Sequence, residues 1–143
     1  MRKEKGITLI ALVITIIVLL ILAGVTIAML TGDNGILTKT NQAKTNTGKG
    51  EAADKINMAL NAEYANILSD GKMSGASDSA IATKEEIAKT NGITTSEFNI
   101  QPGTSMTGET VLTITSTTYS DVSGKITYDA ATKKYTVTRA VVN

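Results

Sequence analysis

The sequence predicts an α+β chain in which one long N-terminal helix, apolar in its first half, packs on a small antiparallel β-meander. Three observations carry this. Residues 7–30 form 24 consecutive positions without a charge. Residues 36–69 place apolar side chains three and four apart, the period of a helix with one buried face. Residues 98–142 alternate apolar positions with threonine-rich polar ones, the period-two pattern of half-buried strands.

Composition removes several function classes. The 143 residues contain no cysteine and no histidine. Disulfides, thiol nucleophiles, histidine bases and the commonest transition-metal ligand are therefore excluded. The chain has no tryptophan, 3% aromatic residues and a net charge of +1. A nucleic-acid partner would leave a basic or aromatic footprint, and neither is present. No enzyme, cofactor or metal is expected from these residues.

The apolar run comes first in the chain. As a helix, residues 7–30 span about 36 Å. A bilayer core is about 30 Å thick, so the run can cross it. Ile14, Ile16, Ile17 and Val18 would favour strand in water. In lipid a lone strand leaves its backbone unpaired, so helix is the expected form. Arg2, Lys3 and Lys5 precede the run and keep residues 1–6 cytoplasmic, with the remainder exported. A secretory signal would have an apolar region of about 7–15 residues. Ala23-Gly24 is the nearest approach to its cleavage site. A plain single-span anchor fits the same run. A buried core helix would be shorter and show a polar face.

The junction Lys5-Gly6-Ile7-Thr8-Leu9-Ile10 separates these readings. A short basic leader ends in glycine and an apolar run begins at once. This resembles the leader of type IV pilins and pseudopilins. The resemblance implies cleavage between Gly6 and Ile7 by a prepilin peptidase, and N-methylation of Ile7. Thr8, Leu9 and Ile10 match the triplet that usually follows in that family. The next family residue is nearly always glutamate, which is thought to pair with the new N-terminal amine of a neighbouring subunit; here it is Ala11. The stretch is similar to a glutamate-less variant among pilin-like proteins of Gram-positive bacteria, over residues 1–37.

The resemblance implies a type IV pilin-like fold with residues 1–6 as leader and 7–30 as membrane-spanning and filament-core helix. Residues 31–35 form a break, and 36–143 an extracellular globular domain. It implies a structural subunit of a surface filament, associated with cell adhesion, whose partners are further copies of itself, the peptidase and an inner-membrane assembly machinery. Before assembly the subunit is a single-pass membrane protein. Thr8, Ala11, Thr15, Gly24 and Ala28 are the candidate helix-packing residues. Gly24 and Ala28, four apart, allow close helix approach. A pseudopilin of a secretion or DNA-uptake pseudopilus fits the same features. So does a membrane-anchored extracellular binding domain that never polymerises.

Thr31-Gly32-Asp33-Asn34-Gly35 follows the run. Gly32 and Gly35 weaken a helix by about 1 kcal/mol each, so a break is expected. Asp33 or Asn34 is expected to cap a helix starting at Ile36. A calcium loop would need more charged oxygens than Asp33 alone. In the helix over 36–69, the expected buried stripe is Ala53, Ile56, Leu60, Tyr64, Ile67 and Leu68. Lys44, Lys49, Lys55 and Glu63 fall off it. A kink or frayed turn is expected at Thr47-Gly48-Lys49-Gly50. The flanking spacing of a phosphate loop is absent there.

Residues 70–92 read as a loop and a short helix. Thr83-Lys84-Glu85-Glu86 forms a capping box, and Asn91-Gly92 stops the helix. Strands follow over 98–142. Residues 109–119 place Leu112 and Ile114 on one face. Ile126 and Tyr128 alternate with Lys125 and Thr127. Tyr135, Val137 and Val141 alternate with Thr136 and Thr138. Turns are expected at residues 121–124 and 129–133. Three strands are expected, or four if residues 98–100 pair.

Overall fold

The computed structural model describes residues 2–77 and 80–142, with the side chains of residues 2–6 outside that description. In chain order the elements are α1 (Arg2–Thr31), α2 (Ile36–Asp70), α3 (Lys84–Asn91), β1 (Phe98–Pro102), β2 (Thr110–Ser116), β3 (Ser123–Asp129) and β4 (Lys134–Thr138). The α+β layout expected from the sequence is present. The chain divides into two compact units between Thr45 and Asn46, inside α2. Residues 36–47 of α2 bury almost nothing, and its first buried residue is Ala52. The first turns of this helix therefore add nothing to the core of the second unit.

That core lies between residues 52–67 of α2 and the sheet. Ala52, Ala53, Ile56, Ala59, Leu60 and Ile67 face it at spacings of three and four. The four strands form an antiparallel meander in the order β1-β2-β3-β4. Phe98, Ile100, Leu112, Ile114 and Ile126 are buried on one face. The opposite rows pair Asn99 with Thr115, Gln101 with Thr113, and Thr127 with Thr136. Polar β-branched residues thus occupy the wet side, where they keep strand propensity without needing burial. At Gly124 an added Cβ would lie 2.6 Å from Leu60 Cδ1, so its lack of a side chain lets α2 sit close to β3.

Several expectations are corrected. The helix does not fray at residues 47–50 but is continuous to Asp70. A Cβ on Gly48 would lie 2.2 Å from the Tyr119 hydroxyl, whereas Gly50 has nothing within 4 Å. Gly48 makes room for Tyr119. Leu68, expected in the stripe, is exposed, and Tyr64 is only partly buried. Glu63, expected in solvent, is 0% exposed. Its carboxylate accepts hydrogen bonds from Ser74 N at 2.9 Å, from Ser74 Oγ, and from Asn91 Nδ2 at 2.6 Å. Three donors from two other segments replace the water the carboxylate gives up.

Within β2, Val111 and Leu112 are both fully buried, because the register against β3 shifts between Thr110 and Leu112. Such a bulge turns two successive side chains toward the same side. The last strand ends at Thr138, so Val141 is not in it and is exposed. Ala140 is held instead by Asn57, which accepts from Ala140 N at 2.8 Å and donates to Ala140 O at 3.0 Å. The side-chain amide satisfies both backbone groups that a further strand partner would have used.

The capping box is present. Thr83 Oγ1 accepts from Glu86 N at 3.3 Å, and Glu86 accepts from Thr83 N at 2.8 Å. The bonds that its carboxyl accepts from Thr83 N and from Thr83 Oγ1 hold the Glu86 carboxyl below its ordinary value. Gly92 closes α3 in the left-handed region at φ 63°, donating to Ala88 O. In the β3–β4 turn, Asp129 accepts from Ala131 N at 2.9 Å and Thr132 Oγ1 at 2.7 Å.

Candidate functional site: the apolar helix and its break

The candidate site is α1 and the four residues that end it. Every described large apolar side chain of α1, from Ile7 to Leu30, is exposed. Apolar residues surround the axis on all sides, so no face is left to be the wet one. A helix of this kind needs lipid or other helices around it. It is long and apolar enough to cross a membrane, and none of the apolar window is buried within the chain. That is compatible with a single membrane span.

The polar groups of α1 are suited to such surroundings. Thr15 Oγ1 donates to Leu12 O at 2.7 Å, and Thr31 Oγ1 to Ile27 O at 2.9 Å. Thr26 Oγ1 donates back to the Leu22 and Ala23 carbonyls. Hydroxyls bonded to their own helix present little unsatisfied polarity to lipid. The Gly6–Ile7 bond lies within α1. Met1, the first residue of the leader, lies outside the described residues, as do the side chains of the rest of that leader. Thr8, Ala11 and Thr15 are exposed along the helix, and a Cβ at Gly24 would meet nothing within 4 Å. Gly24 and Ala28 are exposed along α1, so any close packing there would come from another molecule.

The break occupies residues 32–35, as the glycines suggest. Gly32 N donates to Ala28 O at 3.0 Å and closes α1. Gly35 N donates to Gly32 O at 2.6 Å, and Gly35 O accepts the first bond of α2 from Lys39 N at 3.0 Å. Gly35, not Asp33 or Asn34, therefore stands at the N-cap. Glycine is an acceptable cap, and Thr38 Oγ1 adds a bond to Gly32 O at 3.2 Å. Gly35 is buried, and a Cβ there would lie 2.6 Å from Leu30 O. The backbone passes too close for any side chain.

The break opens a groove of about 660 Å³, lined by Val25, Ala28, Met29, Asp33, Asn34 and Ile36 together with the two glycines. Sequence reasoning identified the glycines but not the groove. The signal was present: Asp33 is the one acidic residue between positions 7 and 45. In the second unit a smaller cleft of about 220 Å³ lies between α2 and the sheet, where Lys55 approaches Glu97 at 3.8 Å. Among the described residues, no group of three or more aspartates and glutamates could hold a metal ion.

No protein-family model, curated protein or solved structure matches this chain. The architecture itself, a long apolar N-terminal helix with an antiparallel sheet after it, is compatible with a pilin-like arrangement.

Proposed function

We propose that the chain is a pilin, a structural subunit of an extracellular type IV pilus-like filament. In this reading a prepilin peptidase removes residues 1–6 and the new N-terminus, Ile7, is methylated. The subunit waits in the membrane through α1, and an inner-membrane machinery then draws it into a growing filament. The apolar helices bundle into the filament core, while the second unit faces outward and carries adhesive contacts. The role is structural and not enzymatic. The observation that supports this best is α1 itself. Its apolar side chains are unburied all round, directly after a basic leader ending at Gly6. A helix that leaves lipid must be buried again, and other copies of the same helix are the available cover.

Intact-mass analysis of protein sheared from the cell surface tests the reading. The chain should begin at Ile7. Removing residues 1–6 takes Lys plus Arg from 14 to 11 and Asp plus Glu from 13 to 12, so the formal side-chain charge falls from +1 to −1. Surface protein that still carries residues 1–6, or cells without filaments of this chain, would overturn it.

A further inference from the structure

Cleavage after Gly6 would make the Ile7 nitrogen a free, positively charged amine at the tip of an apolar helix. Burial of that charge among other helices is strongly unfavourable unless an acceptor of opposite charge meets it. Between positions 7 and 45 the only such group is Asp33. Ala11 offers none. Thr15 Oγ1 already donates to Leu12 O, and a hydroxyl brings no compensating charge.

Asp33 lies in the groove at the helix break, beside Val25, Ala28, Met29 and Ile36. Its carboxylate has no hydrogen-bond or ion-pair partner among the described residues. An apolar rim around a carboxylate suits an ammonium group carried on an apolar chain.

We propose that this groove seats the Ile7 α-amine of a second copy of the chain, paired with Asp33. The inference rests on the pilin reading above and deepens it. The residues from Ile7 to Thr31 span about 36 Å along the helix. Pairing one end with the other therefore sets neighbouring copies apart by about one helix length. Groove and amine are different surfaces of the same molecule, so the contact is head-to-tail and repeats into an open filament. The offset also suits recruitment. A copy lifted by one helix length brings its amine level with Asp33 of a copy still seated in the membrane.

The test uses the full chain in producing cells, comparing Asp33→Asn and Asp33→Glu with wild type. Asp33→Asn should lower surface filament by roughly tenfold or more, with leader removal and membrane level unchanged. Asp33→Glu, which keeps the charge, should restore most of the yield. As a check independent of variant folding, wild-type filaments are treated with a carbodiimide, which joins a carboxylate to an amine as an amide. The expected product is a covalent dimer in which the Ile7 peptide is linked to the Asp33 peptide. Wild-type filament yield from Asp33→Asn, or wild-type filaments without that link, would overturn the inference and leave the pilin reading standing. A wild-type chain that keeps its leader and forms no filaments would instead overturn both.

Discussion

Replacing Glu63 with Leu should destabilise the second unit by about 2–4 kcal/mol, a large share of the 5–15 kcal/mol by which domains are usually stable. The carboxylate is fully buried and accepts from Ser74 N, Ser74 Oγ and Asn91 Nδ2. Leucine fills similar space but leaves those donors facing an apolar group. Each abandoned donor costs about 1–3 kcal/mol when buried. Asn91 keeps its second bond, to Ile87 O at 2.9 Å, and Ser74 is only partly buried, which brings the total down to about 2–4 kcal/mol from the roughly 3–9 kcal/mol of three fully buried donors. Glu63→Gln should fall between. Its carbonyl can retain the Ser74 amide, while its own amide meets the Asn91 amide donor to donor. The assay is urea unfolding of residues 46–143, followed by far-ultraviolet circular dichroism. With a slope of about 1–3 kcal/mol per molar urea, Glu63→Leu should lower the midpoint by about 1–2 M. A midpoint equal to wild type would show that α2, the 71–77 loop and α3 are held together by apolar contacts alone.

Four further outcomes are expected. Gly50→Ala should stabilise the second unit by up to about 1 kcal/mol, while Gly48→Ala, which must displace Tyr119, should be about 1–3 kcal/mol worse than Gly50→Ala; urea midpoints of the two variants check this. The hydrogen bond from Lys49 holds the Asp121 carboxyl below its ordinary value of 3.8, so the stability this pair adds is fully present above that value and is lost as pH falls through the lower folded one. Lys49→Met should remove that part of the acid dependence, measured by unfolding between pH 2 and about 5. Replacing both Gly32 and Gly35 with Ala should increase helix content yet impair filament formation, because the close passage of Gly35 by Leu30 O cannot hold a Cβ; unchanged filaments by electron microscopy would show that the break is incidental. Ala11→Glu should abolish assembly by burying a carboxylate in a bundle whose expected cation, the Ile7 amine, is already paired with Asp33, and filaments at wild-type level would refute that account of the core.

Legibility in the sequence tracked the range of the forces involved. The apolar run, the capping box at Thr83 and Glu86, and the β-meander depend on residues a few positions apart, and each was readable. The break at Gly32 and Gly35 was readable for the same reason. Glu63 was not, because a charged residue in a helix is assigned to solvent unless its partners are known, and those partners, Ser74 and Asn91, are 11 and 28 positions away. The expected frayed turn at residues 47–50 failed in a related way. Two glycines lower helix propensity, but Tyr119 packing against Gly48 comes from a strand connection that local pattern does not reveal. Val141 continued an alternating pattern beyond the point where the chain leaves the sheet. For the candidate site, the helix and its glycines were visible, whereas the groove holding Asp33 depends on the path of the backbone between the two helices.

The meander also bears on the order in which the second unit folds. Each strand pairs with its neighbour in sequence, so every hairpin can close over a short loop at small entropic cost. The links from α2 to the sheet are of another kind: Asn57 to Ala140 spans 83 positions and Lys49 to Asp121 spans 72. Hairpins are thus free to assemble while α2 is still undocked, and the helix joins when residues near 140 are in place. Under the proposed function, in which the second unit is exported, that puts completion of the core after the last strand has crossed. A sheet formed before α2 docks would have its apolar face open, a state exposed to proteases and to neighbouring chains.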